Sequence, residues 1–343
     1  MNFNLVHYMN ILFTCSGRRN YLINYFKKEL AGRGLVFASD MQMNAPALAD
    51  ADVRVQFPGI DDPNYISVVK QYAVEHHIHA IISLNDLELP ILSSCKKEFE
   101  DIGITLIVSD KRVVDITFDK WKTKEFLKEC GLNSPKTFLS LKEIEQAIEK
   151  NNIRFPVVIK PRWGSASIGI HFPESMREME LASELIRLEI SRTILSNAGG
   201  ENEKNQILYQ EKIEGNEYGM DVLNDLRGNY VGTFVRQKLS MRAGETDKAI
   251  SVIDARFEKI GRIIGTRLRH VGNLDCDVLE RDGLLYVLEM NARFGGGYPF
   301  SHESGINTVG AYIHWLEGGQ DISVFNHYQS GISFSKCDRL IRI

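Results

Sequence analysis

No C-x-x-C pair occurs in the sequence, and its five cysteines, Cys15, Cys95, Cys130, Cys276 and Cys337, are odd in number and widely scattered. Nothing therefore suggests a disulfide framework, and reduced, mostly buried thiols are expected. No apolar run approaches the ~20 residues that would cross a bilayer. Basic charge is not in excess: the net charge of −4 leaves no electrostatic footprint for nucleic acid. The opening MNFNLVHYMN lacks the basic region and cleavage site of a secretory signal, and from Met9, a natural start, MNILFTCSGRRN leads directly into a strand. A cytoplasmic protein without membrane association is the expectation. Internal repeats and low-complexity tracts are also missing. The loop after the first strand lacks G-x-G-x-x-G, which disfavours a dinucleotide, and G-x-x-x-x-G-K-[ST] appears nowhere, so there is no Walker loop.

What is present is an ordinary globular composition, 43% hydrophobic and 25% charged over 343 residues, enough for two or three domains with their own cores. The first third alternates. Strands are expected at Asn10–Cys15, Leu35–Ser39, Val53–Phe57, Ala80–Leu84 and Ile104–Val108. Helices are expected at Asn20–Leu30 and Tyr65–His76, with another ending near Glu100. Strands alternating with helices imply a parallel sheet with right-handed crossovers. The strand ends at Ser16, Asp40 and Asp86 would line the crevice of such a sheet. Arg18 and Arg19 suit a carboxylate or phosphate, or are simply solvated at a helix start. Asp86 and Glu88 suit a substrate amine, with helix capping by Asp86 as the alternative.

A boundary falls in Asp110–Asp119, and Asp119 is placed to cap a helix over Lys120–Cys130. After a helix around Leu141–Lys150, the strand FPVVIK ends on Lys160 and runs into PRWGSASIGI. Gly164, Ser165, Ala166, Ser167 and Gly169 are small, which lets backbone N–H groups approach phosphate oxygens closely; a hairpin tip is the alternative. Met176–Ile194 reads as a helix, Ser196–Gln206 as a polar loop and Ile207–Tyr209 as a strand. A hairpin is expected from Tyr218–Leu223 and Tyr230–Val235, followed by a basic loop over Lys238–Lys248. Helices at Asp254–Leu268 and Thr308–Leu316 flank a further hairpin, and the tail after Gly318 has no strong pattern.

That further hairpin, DCDVLERDGLLYVLEMNARFGGG over Asp275–Gly297, organises the chain. A three-residue loop Arg281-Asp282-Gly283 would set Asp275 opposite Glu289 and Asp277 opposite Val287. Asp275, Asp277, Glu289 and Asn291 then share one face, because side chains alternate with period two. Acids with an amide oxygen on one wall suit Mg²⁺. Arg293 follows on the same face, and Gly295-Gly296-Gly297 offers backbone N–H groups to an anion. A two-residue Asp282-Gly283 turn would put Asp277 and Glu289 on opposite faces. Solvated acids on a surface hairpin are the bland alternative.

Together VVIKPRWGSASIG, YQEKIEGNEYGMDV and YVLEMNARFGGG resemble an ATP-grasp enzyme of the carbamoyl-phosphate synthetase large-subunit-like branch, over about Asn10 to Gly318. The resemblance implies an α/β pre-ATP-grasp domain over 1–110, then a two-lobed α+β ATP-grasp fold. The small lobe with its linker helix would occupy 111–213 and the large lobe 214–343. It implies that Lys120 and Lys160 contact phosphates and that Gly164–Gly169, with Ser165 and Ser167, closes over them. Gln210, Glu211 and the Ile213 backbone would read adenine, and Glu217 the ribose. Asp277, Glu289 and Asn291 would hold Mg²⁺, with Mn²⁺ as a substitute and Asp275 as the second choice of aspartate. Arg293, Lys238 and Arg242 would lie near the transferred phosphate. The implied reaction joins a carboxylate, activated by ATP as an acyl phosphate, to an amine, releasing ADP. Either substrate is small, and an amino acid fits one of them. An ATP-binding module without ligase chemistry, or a phosphotransferase stopping at a phosphorylated product, are the alternatives. One ATP-grasp unit without duplication argues against carbamoyl phosphate as the product. A homo-oligomer is compatible with the sequence. His270 and His302 are expected to be structural.

Overall fold

The computed structural model describes residues 8–164, 169–193 and 205–342. Its first part is the alternating unit: β1 (Asn10–Thr14), α1 (Asn20–Leu30), β2 (Val36–Asp40), β3 (Val53–Gln56), α2 (Tyr65–Glu75), β4 (Ile78–Ser83), α3 (Leu89–Glu100) and β5 (Thr105–Ile107). These strands pair in parallel in the order β3-β2-β1-β4-β5. Every residue of β1 is buried, as befits a central strand covered on both faces. Helix α1 turns Leu22, Ile23, Phe26 and Leu30 inward, the i, i+4, i+8 spacing of one helical stripe. The order reverses between β1 and β4, so their C-terminal ends open a crevice.

Two helices follow, α4 (Lys111–Phe118) and α5 (Lys120–Glu129). The Asp119 carboxylate accepts from the N–H groups of Trp121 and Lys122, as expected of an N-cap. The same carboxylate receives a buried two-pronged contact from Arg162 at 2.8 and 2.7 Å, tying α5 to the next sheet. That sheet is β6 (Thr137–Phe138), β8 (Ile207–Glu211) and β7 (Val157–Pro161), in that spatial order. It is backed by α6 (Leu141–Glu149) and α7 (Met176–Ser191) over a separate core of Ile144, Val157, Ile159, Met179, Ile186 and Tyr209. A capping box between Ser140 and Glu143 starts α6.

The last sheet is antiparallel and built from β9 (Asn216–Asn224), β10 (Tyr230–Arg242), β11 (Glu245–Val252), β12 (Asn273–Arg281), β13 (Leu284–Asn291) and β14 (Ser333–Ser335), in the order β13-β12-β9-β10-β11-β14. Helices α8 (Ala255–Leu268), α9 (Tyr298–Glu303) and α10 (Thr308–Leu316) accompany it. Two expectations fail here. Lys238–Lys248 is not a loop: it forms the end of β10, a turn at Ala243-Gly244, and the start of β11. Its polar residues are those of a strand lining an aqueous cavity, not of a solvated linker. The tail after Gly318 also contributes, adding β14 to the free edge of β11.

The β12–β13 hairpin corrects a third expectation. Arg281 pairs with Leu284, so the turn has two residues, Asp282 and Gly283, at φ 53° and 76°. Both lie in the left-handed region that such a turn needs, and Asp-Gly supplies it. Regular pairing from that turn would separate Asp277 from Glu289. Instead the register shifts between Asp277 and Val278: Val278 faces Val287, Asp277 faces Glu289 and Asp275 faces Asn291. Leu288 is the extra residue of a β-bulge, and it returns the four polar residues to one face. The shared face is as expected; the expected three-residue turn and the pairings of Asp275 with Glu289 and Asp277 with Val287 are replaced by the two-residue turn and by Asp275 with Asn291 and Asp277 with Glu289.

The first and last sheets share apolar cores. Leu106, Val108 and Val113 pack in one cluster with Val287 and Met290, and Phe26 meets Tyr312 edge-on at 6.5 Å. The floor of the last sheet is thereby held against the crevice of the first.

Candidate active site

A cavity of about 660 Å³ lies where these two sheets meet. Asp277, Glu289 and Asn291 line it from β12 and β13, Lys238 and Arg236 from β10, and Arg18, Arg19 and Asp86 from the first sheet. Asp277 contacts Lys238 Nζ at 2.7 Å, and the same ammonium meets Glu217 at 2.7 Å. Burial alone would lower the Lys238 pKa, but Asp277 and Glu217 outweigh it and hold the group charged. Burial, with Asp275 and Glu289 adding to it against Lys238, pushes the Asp277 carboxyl up to about 6. Glu289 is held below the usual range despite burial, because Lys120, Lys160 and Lys238 surround it.

Lys120, the first residue of α5, and Lys160, in β7 of the smaller sheet, do not line the cavity but lie close enough to act on the Glu289 carboxylate. Lys160 is buried at the end of β7, and burial pushes its pKa down to about 8, with Glu289 and Asp277 opposing and Lys120 assisting. Lys120 Nζ donates to the Gly164 carbonyl. Gly164 and Gly169 are described; Ser165 and Ser167 lie outside the described residues, as does most of Ser196–Gln206. Gln210 is buried and donates to Thr137 Oγ1. The Glu211 carboxylate meets Arg281 at 3.1 Å and its N–H donates to Lys136 O. Ile213 is buried just past β8, and its backbone N–H has no protein acceptor among the described residues. Glu217 is taken by Lys238, a position that a ribose would have to share.

A chain of buried charges under the cavity was not foreseen. Arg236 is 1% exposed. It donates to Asp221 at 2.5 Å, Ser301 at 3.2 Å and Asp275 at 2.9 Å. Asp275 in turn meets Arg293 at 3.5 Å, and Arg293 donates to Asp86 at 2.6 and 3.1 Å. The order is thus Asp221, Arg236, Asp275, Arg293, Asp86, with alternating sign. Asp275 is engaged by two guanidinium groups, whereas Asp277 has the single Lys238 ammonium and faces Glu289 across the hairpin. Asp86 neither caps α3 nor stands open for an amine; it fixes Arg293 from the other sheet. The signal for Arg236 was a lone arginine in an apolar strand, opposite Gly219 on β9, and that pairing is set by register.

The Gly295-Gly296-Gly297 loop also has another reason than the one expected. A Cβ on Gly295 would lie 2.1 Å from the Asp275 carboxyl carbon, and one on Gly297 would lie 2.3 Å from Arg236 Nε. These glycines admit the charge chain beneath them. Glu88 is fully buried away from the cavity, bound by Thr14, Ser83 and Tyr65. Ser16 is buried, and Asp40 accepts from Gly17 N–H and Gln42 N–H, so neither lines the cavity. Arg19 is paired with Glu245 at 2.8 Å, and Arg242 with Asp338 and Asp247. His270 bonds the Val222 carbonyl, and His302 bonds Tyr298 and stacks on Tyr25; both are structural.

The donor set fits Mg²⁺. The side chains of Glu289 and Asn291 have no hydrogen-bond or ion-pair partner among the described residues, yet both face the cavity. No tight group of three histidines, cysteines or acids occurs among the described residues. That suits an ion which takes one or two carboxylates from protein and the rest from phosphates and water.

Residues 117–297 match the ATP-grasp domain family, and residues 11–107 match the PylC-like N-terminal domain. The chain belongs to the ATP-grasp family. It is 28% identical to the carbamoyl-phosphate synthase of Methanobrevibacter smithii over 327 residues, 90% of this chain and 81% of that one. It spans only about a fifth of the carbamoyl phosphate synthase large chains that it also matches. A relative of that name with the length of one ATP-grasp unit weakens the argument from missing duplication. Among solved structures, the biotin carboxylase domain of Hydrogenobacter thermophilus 2-oxoglutarate carboxylase, determined with MgADP and bicarbonate, superposes with a TM-score of 0.71 at 19% identity, covering 91% of this chain and 70% of that one. The L-amino acid ligase of Bacillus licheniformis gives 0.68 at 21% identity, covering 95% and 80%. These likenesses are of ATP-grasp fold. Among the described residues no helix is long and apolar enough to cross a membrane.

Proposed function

We propose that this ATP-grasp enzyme joins a carboxylic acid to an amine through an acyl phosphate, using ATP and releasing ADP and phosphate. The carrying observation is the pair Glu289 and Asn291, unpartnered on the cavity face among the described residues, with Glu289 opposite Asp277 and under the charge of Lys120, Lys160 and Lys238. Bringing an anionic carboxylate to a triphosphate is mainly a problem of positioning and charge neutralisation. Lys120 and Lys160 would neutralise phosphate oxygens from the small lobe, and Arg293, held rigid by Asp86 and Asp275, would do so from the large lobe. Mg²⁺, when bound by Asp277, Glu289 and Asn291, would draw charge from the β- and γ-phosphates. A substrate carboxylate oxygen forms a bond to the γ-phosphorus as the bond to the bridging oxygen breaks and ADP leaves. The amine nitrogen then attacks the acyl carbon, phosphate departs with its bonding pair, and the nitrogen loses a proton. Adenine would lie along Gln210, Glu211 and the open N–H of Ile213. On this reading the chain divides near residues 110 and 213, and each sheet falls in one part. The test is ADP release with paired panels of carboxylic acids and amines. Release that depends on one member of each panel supports the proposal, and release indifferent to any amine overturns it.

A further inference from the structure

The cations of the cavity are almost all matched. Arg19, Arg236, Lys238, Arg242 and Arg293 each meet a carboxylate of the protein within ion-pair distance. Of the cations lining the cavity, Arg18 is the exception: it is exposed and has no hydrogen bond or ion pair among the described residues. The cavity has two electrostatic ends. Glu289 and Lys238 line one part of its wall, and Asp338, paired with Arg242, and Arg18 line another. At this second end Asp338 of the C-terminal segment engages Arg242 with both oxygens, at 2.7 and 3.1 Å. That is the two-pronged geometry by which a guanidinium receives any carboxylate or phosphate. Asp338 is itself 69% exposed, so a ligand anion can displace it at small cost. The reacting carboxylate belongs at the other end, beside the metal and Arg293, and 660 Å³ leaves room for more than that group.

We infer that the Arg18 and Arg242 end binds a second anionic group of the acid substrate, a carboxylate or a phosphate, and that Asp338 holds its place in the free protein. This rests on the ligase reading of the cavity and adds a substrate class to it: acids with a second negative charge remote from the reacting one. The exposed Met241 side chain on the wall would meet the carbon chain between the two charges.

The test measures binding to the full chain with a Mg²⁺-loaded non-hydrolysable ATP analogue present. The probes are L-glutamate against L-glutamine and O-phospho-L-serine against L-serine, which separate a carboxylate from a phosphate. At least one anionic probe should bind about tenfold tighter than its neutral partner, the effect of a charge-assisted contact at a wet site. Arg18→Ala should abolish that preference without changing affinity for the nucleotide, Arg18→Lys should retain part of it, and Asp338→Ala should strengthen it. The preference should shrink as salt rises. Equal binding of charged and neutral partners, no binding by either anionic probe, or a preference that survives Arg18→Ala would overturn the inference. Loss of nucleotide binding in the unaltered protein would instead strike at the ligase reading.

Discussion

Replacing Asp86 with Asn isolates the contact that joins the two halves of the site. Asp86 lies just beyond β4 and Arg293 just beyond β13, and their side chains are 7% and 9% exposed. The pair makes two charge-assisted hydrogen bonds, at 2.6 and 3.1 Å. Asn keeps an oxygen acceptor, and Asp275 still faces Arg293 at 3.5 Å. The loss should therefore be about 2 kcal/mol, the range for hydrogen bonds to charged groups, and not the ~3–5 kcal/mol of stranding a buried charge. Arg293→Met strands Asp86, while Asp275 keeps Arg236 at 2.9 Å, and the variant belongs in that higher range. In the double variant the stranded Asp86 charge is gone, so the sum of the single losses should exceed the double loss by at least ~1 kcal/mol. Urea denaturation of the four proteins reads this as midpoints at unchanged slope. Losses that add to within ~0.5 kcal/mol would refute the coupling of the first sheet to Arg293.

Other consequences follow from the same geometry. Glu289→Gln should lower turnover at least ~100-fold, on the scale of losing a preorganised charge at the reacting phosphate, while the circular dichroism spectrum and melting temperature stay near those of the unaltered protein. Asp277, held up to about 6, is protonated in the ligand-free protein below that pH. Mg²⁺ must then displace the proton, so its apparent affinity in titration calorimetry should fall about tenfold per pH unit below 6. In the metal-free protein the native state binds more protons than the unfolded chain between about pH 4 and 6, so stability should rise as pH falls through that window, and Asp277→Asn should flatten the rise. Lys160, held down to about 8, is neutral above that pH. Nucleotide affinity should weaken as pH rises beyond 8, and Lys160→Arg, which stays charged, should remove that limb.

The first third of the chain was legible because its central strands β1, β2 and β4 are buried on both faces and its helices carry one apolar stripe. The start and end of α1 at Asn20 and Leu30 follow from the sequence pattern directly. The β10–β11 hairpin was not legible. One face of it meets water in the cavity, so Lys238–Lys248 carries the polar composition of a loop. That Glu289 and Asn291 share the cavity face was readable from strand alternation, since face depends only on parity. The pairing partner depends on a bulge at Leu288, which leaves no mark in composition. Arg236, and the partner of Asp86, escaped for the same reason: only tertiary register makes Asp221 and Asp275 neighbours of Arg236, and Arg293 the neighbour of Asp86. Gly295 and Gly297 also make room for the buried charges of Asp275 and Arg236, a requirement that only the tertiary fold reveals.

The most direct measurement is a crystal structure of the chain with Mg²⁺ and a non-hydrolysable ATP analogue. The ion should sit about 2.0–2.1 Å from a Glu289 oxygen, with Asp277 or Asn291 beside it and the phosphates reaching Lys120 and Lys160. An ion and phosphates bound away from the Glu289 side chain would contradict the account.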